Sequence, residues 1–193
     1  MANTNAPTGF TPVGHRGGAY VGQINRYYAP TGEANDLFIG DPVIIAGSAD
    51  TDGVPTITLA TAGSAGRVTG VIVGFEPNDS VRTYGYRKAS TGCYVLVADD
   101  PNLVCEVQED AVGGALAAAD VGLNADMASG TGSAYTHRSG WQIDTSTKAT
   151  TATLQCRILG FKQSPDNVIG ANAKVYVRFN LPTETGAAGS TGV

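Results

Sequence analysis

The sequence contains few charged side chains and few of the residues that enzymes use for catalysis. Lys, Arg, Asp and Glu make up 15% of the 193 residues, against about a quarter in typical globular proteins. Only two histidines occur, His15 and His137, and neither has a Cys or a second His at the spacing of a metal site. We therefore expect no catalytic, cofactor-binding or metal-binding residue, and we predict that the protein is not an enzyme.

One short acidic segment has two interpretations, a calcium-binding loop or a turn. Asp50-Thr51-Asp52-Gly53 begins like a calcium-binding loop. Such a loop ends in a Glu, and this chain has Leu59 at that position. The segment is therefore interpreted as an Asp-Gly turn between two strands.

The chain also lacks an excess of basic residues and lacks long apolar runs. Its net charge is −5 and its 12 Lys and Arg residues are scattered, whereas binding to nucleic acid needs clustered cations. No apolar run approaches the roughly 18 residues of a membrane span. We therefore expect neither nucleic acid nor membrane as a partner. The first residues do not have the pattern of a secretion signal, so we expect assembly in a cytoplasm.

The basic residues that do lie close together are interpreted as part of a solvated surface. The two densest groups are Arg82 with Arg87 and Lys88, and the pair His15-Arg16. Isolated groups of this size are more often exposed side chains or ion-pair partners than phosphate sites.

The three cysteines, Cys93, Cys105 and Cys156, are too few and odd in number for a closed disulfide framework. The turn at Asp99-Asp100 predicts a simple hairpin in which Cys93 and Cys105 would lie on opposite faces. We expect three buried, reduced thiols. Pairing of Cys93 or Cys105 in a mature assembly stays open at this stage.

Short alternating segments separated by turn residues indicate the fold class. Residues 40–76 alternate strand-like apolar runs with Gly-, Asp- and Pro-rich turns, and the whole chain has about nine such strands. We predict a mainly β protein, either a β-sandwich or a β-barrel of short antiparallel strands. One short helix is predicted over residues 109–119, which begin with acids and are rich in Ala, although Gly113-Gly114 weakens it.

The composition divides the chain into three parts. Residues 1–19 are rich in Asn, Thr, Pro and Gly and predict an extended N-terminal arm. Residues 20–181 form the β-rich domain, and residues 182–193 predict a mobile or docked tail. The arms and the tyrosines near them are the expected contacts with partner chains, since Tyr is enriched at interfaces. The candidate interface residues are Phe10, Pro12, His15, Arg16, Tyr20, Tyr27, Tyr28 and Val193.

An ordered series of turn motifs resembles a known class of viral protein. The motifs are Asn25-Arg26-Tyr27-Tyr28, Gly40-Asp41-Pro42-Val43, Asp52-Gly53-Val54-Pro55, Gly70-Val71-Ile72-Val73-Gly74-Phe75-Glu76, Ala98-Asp99-Asp100-Pro101, Gly122-Leu123-Asn124-Ala125-Asp126 and Ser164-Pro165-Asp166-Asn167. In this order, over residues 10–182, the chain resembles the head decoration, or cement, proteins of tailed bacteriophages.

This resemblance implies a virion protein on the outer surface of the phage head. Such a protein binds the major capsid protein, bridges neighbouring subunits and stabilises the shell, and it commonly forms homodimers or homotrimers. No catalytic residue carries over, because the family has none.

Two other functions are compatible with the sequence. A phage tail or receptor-binding module would recognise a host surface ligand, with an aromatic-lined site around Trp141 and Tyr135 as its mark. A capsid-borne hydrolase would need polar residues brought together from distant strands. Its candidate residues are Glu106, Glu109, His15 and His137.

Overall fold

The structure is a computed structural model that describes residues 3–63, 65–185, 189 and 192. It is mainly β, with two sheets in which antiparallel pairing predominates and one short α-helix, α1 (Asp79–Tyr84). The predicted fold class is therefore confirmed. The strands are β1 (Thr11–His15), β2 (Gly18–Ala19), β3 (Asn25–Ala29), β4 (Pro42–Ala49), β5 (Pro55–Leu59), β6 (Gly70–Phe75), β7 (Cys93–Ala98), β8 (Leu103–Gln108), β9 (Asn124–Ala128), β10 (Gln142–Ala149), β11 (Cys156–Phe161) and β12 (Lys174–Phe179).

One sheet has seven antiparallel strands in the order β10-β9-β11-β12-β8-β1-β2. Its sequence pattern is clearest in β12, where Val175, Val177 and Phe179 are buried and the residues between them are half-buried. Because successive side chains in a strand point to opposite faces, one face of this sheet contributes to the core. Along β8, β11 and β12 the residues of the other face are mostly half-buried.

The remaining five strands close into a barrel in the order β3-β5-β4-β6-β7. Strand β3 closes it by pairing antiparallel with β7 and parallel with β5, where Tyr28 lies opposite Thr56. A closed barrel has no unpaired edge for another chain to extend. Its interior is filled by Tyr27, Ala29, Leu37, Val43, Ile57, Ile72, Val95 and Val97.

The core-facing side of the seven-stranded sheet packs against the barrel. Val71 of β6 and Ala98 of β7 belong to the same buried cluster as Ile158 of β11 and Val175 of β12. Removing apolar surface from water stabilises such a contact by about 25 cal/mol per Å². The two sheets therefore share one continuous hydrophobic core.

The helix lies elsewhere than the sequence predicted, so the prediction over residues 109–119 is wrong. Ala111, Gly113 and Gly114 have φ values of 59°, 75° and 112°, which a right-handed helix excludes. That segment forms turns followed by a 3-10 helix, Ala118–Asp120. The α-helix instead follows Asn78, whose side chain accepts a hydrogen bond from the backbone N–H of Val81 at 2.8 Å.

The N-terminal segment predicted as an arm belongs in part to the body of the fold. Phe10 is 1% exposed and its backbone N–H donates to the carbonyl of Gly40 at 2.9 Å. Strand β1 pairs with β8 in the seven-stranded sheet, because its backbone groups complete the β8 edge. The predicted boundary after residue 19 is therefore too late. The residues before β1 also contact the β-rich domain, since Asn3 Nδ2 donates to the carbonyl of Val168 at 2.7 Å.

The C-terminal segment after Leu181 also contacts the domain where the structure describes it. Pro182 forms a bridge with Val68, and the backbone N–H of Thr183 donates to the carbonyl of Val68 at 2.9 Å. A second 3-10 helix spans Thr183–Thr185. Val193, a candidate interface residue, lies outside the described residues.

The simple hairpin predicted around Asp99-Asp100 is not formed. Strand β7, which carries Cys93, is in the barrel, whereas β8, which carries Cys105, is in the seven-stranded sheet. The turn between them therefore passes the chain from one sheet to the other. All three cysteines are buried and free. In the described part of the chain, no helix is long and apolar enough to cross a membrane.

Candidate functional site

The solvent-facing side of the seven-stranded sheet carries a shallow apolar groove. We call this side the outer face; it is formed by the half-buried residues of β8, β11 and β12 together with β1. The groove has a volume of about 360 Å³. It is lined by Val13, Gly14, His15, Val104, Leu159 and Tyr176.

An irregularity in β1 opens this groove. The pairing of β1 with β8 shifts between Pro12 and Gly14, which leaves Val13 as an extra residue in the strand. Such a bulge redirects the side chain of the inserted residue, and Val13 is 41% exposed. Gly14 lies opposite Val104, so no side chain from β1 covers Val104 at that position.

Charged residues flank the groove at both ends of the exposed part of β12. At one end, Glu106 is shared by two lysines, with Lys162 Nζ at 3.0 Å and Lys174 Nζ at 3.6 Å from its carboxylate oxygens. At the other end, Arg178 lies directly opposite Arg157 of β11. Burial, together with the nearby charges of Arg16 and Arg157, lowers the pKa of Arg178. This second end of the groove therefore carries two arginines on paired strands.

Three of the candidate interface residues lie at the hairpin that joins β1 to β2. His15 Nε2 contacts Gln23 Oε1 at 3.0 Å, and its ring lies 5.8 Å from that of Tyr20. His15 Nδ1 approaches Asp100 Oδ2 at 3.2 Å, without hydrogen-bond geometry. Arg16 is exposed and its backbone N–H donates to the carbonyl of Asn102. His15 therefore lines the groove, with Arg16 next to it in the chain, whereas Tyr20 packs against the buried core.

The other candidate interface residues lie away from the groove. Phe10 and Tyr27 are 1% and 7% exposed, so their side chains are core residues with little surface to offer a partner. Pro12 is half-buried in β1. Tyr28 is half-buried on the barrel, where its ring lies 5.2 Å from that of Tyr94.

A second cleft lies where the barrel meets the seven-stranded sheet. It has a volume of about 590 Å³ and is lined in part by Phe38, Asp41, Tyr86 and Trp141. The rings of Phe38 and Tyr86 stack with centroids 4.5 Å apart, but both residues are 6% exposed and Trp141 is 2% exposed. These rings therefore present little area for a ligand to stack on. Tyr135 is 94% exposed.

Asp41 is the titratable group of this cleft. Its carboxylate accepts a hydrogen bond from the backbone N–H of Phe38 at 2.7 Å and another from the Ser139 side chain. Burial nevertheless raises the pKa of Asp41 from its ordinary value of 3.8 to about 6, because these two bonds offset only part of the desolvation.

The residues considered for a hydrolase are not brought into one site. Glu106 contacts the two lysines of the outer face, and the fully buried Glu109 accepts from the backbone N–H of Ala111 at 2.9 Å. His137 lies against Tyr86, with ring centroids 6.2 Å apart. Within the described residues, no three His, Cys, Asp or Glu side chains are grouped to hold a metal ion.

The sequence offered His15 and Arg16 as candidate interface residues but gave no hairpin at this place and missed the other half of the outer face. His15 and Arg16 are adjacent in sequence and were visible as a basic pair. Arg157 and Arg178 come together only because β11 pairs with β12. For the half of the outer face that contains Arg157 and Arg178, the sequence shows only the alternation of apolar and polar residues along each strand.

Comparison of the chain with protein families, with characterised proteins and with solved structures found no match.

Proposed function

We propose that the protein is a structural component of a tailed-bacteriophage head that binds the outside of the shell and holds neighbouring major capsid protein subunits together. The observation that carries this proposal is the groove on the outer face, which presents Val13, Val104, Leu159 and Tyr176 beside charged residues. Apolar centres with polar rims are typical of protein–protein interfaces. The order of turn motifs along residues 10–182 supports the choice of a phage head as the partner.

The mechanism is repeated attachment rather than chemistry. Each copy would bury apolar surface against the shell at about 25 cal/mol per Å², reduced by the cost of ordering side chains. A homodimer or homotrimer would attach at several points at once, which raises the overall affinity well above that of one contact. The barrel and the sheet share one core, so force applied at the outer face is carried by the whole domain.

The test is binding to shells that lack the protein. Expanded shells are incubated with the natural chain, and bound copies are counted by cosedimentation and located by cryo-electron microscopy. We expect ordered copies on the outer head lattice, with the groove at the contact. Density confined to the tail, or no binding at all, would contradict the proposal and favour a tail or receptor-binding role.

Two exposed valines provide a matched pair of variants. Val13 is 41% exposed in the groove, and Val112 is 57% exposed in the turns after β8. Val13→Asp places a charge in the proposed contact, so we expect shell occupancy to fall by about tenfold or more. Val112→Asp adds the same charge outside the groove and should leave occupancy unchanged. Equal loss in both variants would place the contact elsewhere.

A further inference from the structure

The cleft between the barrel and the seven-stranded sheet has a buried base and mostly exposed sides. Its base contains Phe38, Asp41 and Trp141, which are at most 6% exposed. One side is formed by residues 34–36, between β3 and β4, and the other by residues between β9 and β10, namely Ser129, Gly130, Thr131, Gly132 and Ala134. Its volume of about 590 Å³ is that of a site for a small molecule.

Two glycines hold the second side of the cleft in place. A side chain at Gly132 would overlap the ring of Phe38, and a side chain at Gly130 would overlap the backbone of Gly140. Only a residue without a Cβ atom permits such close packing. Thr131 lies between these two glycines, so its backbone is held on both sides before any ligand binds.

The sides of the cleft carry polar groups that the fold does not use. Among the described residues, the hydroxyls of Ser129 and Thr131 have no hydrogen-bond partner. The side-chain nitrogen of Asn35 donates to Glu33 at 2.7 Å, but its side-chain oxygen accepts no hydrogen bond from the described part of the chain. Two hydroxyls and one amide oxygen are therefore available to a ligand.

Charge and burial restrict the class of that ligand. Asp36 and Asp41 line the cleft, and no Lys, Arg or His of the described residues does, so an anion would be repelled. Lys88 already pairs with Asp36 at 2.8 Å, and Asp41 is 3% exposed and accepts two hydrogen bonds, so a cation would find no free carboxylate. A flat aromatic ligand would find little ring area on Phe38 or Trp141. A neutral ligand rich in hydroxyl groups meets none of these obstacles.

We propose that this cleft binds a neutral saccharide whose hydroxyl groups form hydrogen bonds with Asn35, Ser129 and Thr131. A sugar hydroxyl can donate to the amide oxygen and can exchange hydrogen bonds with the Ser and Thr hydroxyls. Tyr135 follows Ala134 of the cleft and is 94% exposed. Its ring is therefore open to the apolar face of a sugar, and burying an exposed aromatic ring contributes strongly to binding.

The test uses Trp141 as a reporter, since it is the one tryptophan of the chain and it lines the cleft. Its fluorescence is followed while the full chain is titrated with glucose, galactose, mannose or N-acetylglucosamine, and then with neutral oligosaccharides of these sugars. We expect at least one of them to change the emission to a plateau, with the same affinity at low and high salt. Tighter binding of the oligosaccharides would identify a polysaccharide as the ligand, and equal affinities a free sugar; either result supports the site.

Matched variants locate the binding. Thr131→Val removes one hydroxyl at nearly the same volume, so we expect the affinity to fall about fivefold to tenfold. Tyr135→Ala should weaken binding by about tenfold. Thr136→Val removes an exposed hydroxyl of the same loop outside the cleft and should bind as the natural chain does.

Three results would overturn the proposal. They are an unchanged Trp141 emission with every saccharide, an equal loss of affinity in Thr131→Val and Thr136→Val, or tighter binding of the cation spermidine than of any saccharide. The proposal does not depend on the cement function. Val13→Asp should reduce shell occupancy and leave saccharide binding unchanged, because Val13 lies in the groove of the outer face, so failure of one proposal is distinguished from failure of the other.

Discussion

Arg87 contacts Glu33 through the backbone of that residue rather than through its carboxylate. The Nη1 atom of the fully buried Arg87 donates to the carbonyl of Glu33 at 3.1 Å and to that of Asn35 at 2.7 Å. Its other nitrogens donate to the carbonyls of Pro30 and Thr91, each at 2.7 Å. Four backbone carbonyls from two loops of the barrel are thus held by one side chain.

The Glu33 carboxylate has its own set of donors. It accepts from the backbone N–H of Asn35 at 2.9 Å and of Leu59 at 3.2 Å, and from the hydroxyl of Thr58. Burial alone would raise the pKa of Glu33, but these hydrogen bonds outweigh it and the pKa is lowered. Glu33 therefore stays ionised within the electrostatic influence of Arg87, whose own pKa is lowered by burial.

We predict that Arg87→Met destabilises the fold by about 3 kcal/mol or more, because it leaves buried carbonyls without donors and Glu33 without a nearby cation. Urea denaturation monitored by fluorescence measures the change. Arg82→Met, on the exposed surface of α1, is the control and should change the free energy of unfolding by less than about 0.5 kcal/mol. An equally small effect at Arg87 would show that the loops hold without the guanidinium.

Arg87 also illustrates what sequence alone could and could not predict. The sequence grouped Arg82, Arg87 and Lys88 as a solvated surface or ion-pair partners. Lys88 does pair with Asp36 at 2.8 Å, so that part is confirmed, but the prediction is wrong for Arg87. Its four acceptors lie up to 57 residues away in the chain, and no local pattern indicates that they converge.

The same limit applies to the strands and the candidate site. Alternation predicted strands over residues 152–161 and 174–179, because that property depends on neighbouring residues only. The second agrees with β12, whereas β11 begins only at Cys156, and a register shift between Ile158 and Gly160 buries Phe161 where Gly160 was expected. The pairing of β8 with β1 and β12 depends on residues far apart in sequence. Capping explains the error over the helix, since the Asn78 cap and Gly85, with φ of 74°, were a stronger local signal than Ala content.

Gln155 provides a second test of a buried polar contact. Its side-chain oxygen accepts from the backbone N–H of Gly63 at 2.9 Å and of Met127 at 3.2 Å, and its nitrogen donates to the carbonyls of Thr61 at 2.8 Å and Gly66 at 3.0 Å. The residue is fully buried. This amide therefore attaches the loop between β5 and β6 of the barrel to the seven-stranded sheet.

We predict that Gln155→Leu destabilises the fold by about 3 kcal/mol, because four buried backbone groups lose their partners. Hydrogen exchange should show the largest loss of protection at the amides of Gly63 and Met127. Gln163→Leu, at an exposed position, is the matched control. Gln155→Glu adds a sharper test: its carboxylate would face two carbonyls, so that variant should gain stability as the pH falls and the new side chain is protonated.

Asp41 should make stability depend on pH in a defined direction. Its pKa is about 6 in the folded protein and ordinarily 3.8, so between these values the folded state binds more protons than the unfolded state. The free energy of unfolding contributed by Asp41 therefore falls as the pH rises through this window and is constant above it. Replacing Asp41 by an uncharged side chain should restore the free energy of unfolding that is lost as the pH rises.

We predict that Asp41→Asn is more stable than the natural chain at about pH 8, by an amount on the order of 2 kcal/mol, and that the difference disappears toward about pH 4. The Asn side chain can still accept from Phe38, and it can donate to the Ser139 hydroxyl. Asp79→Asn, an exposed carboxylate of α1, controls for the loss of one negative charge. A difference that does not change with pH would mean that Asp41 is not the titrating group.

The three thiols should be unreactive until the protein unfolds. Cys105 and Cys156 are 1% and 0% exposed in the seven-stranded sheet, and Cys93 is 3% exposed in the barrel. Burial raises the pKa of all three thiols, and at Cys93 the charge of Arg87 offsets part of this effect. Since the thiolate is the reactive form, a disulfide reagent should modify no cysteine of the native protein and all three in guanidinium chloride.

Modification in native buffer should follow the rate or extent of unfolding. Rapid reaction of one thiol under native conditions would show that its sheet opens locally. The Arg87→Met variant loosens the barrel, so it should then accelerate labelling at Cys93 before it affects Cys105 or Cys156. This effect of opening would have to exceed the loss of the cation, which by itself raises the Cys93 pKa and slows the reaction.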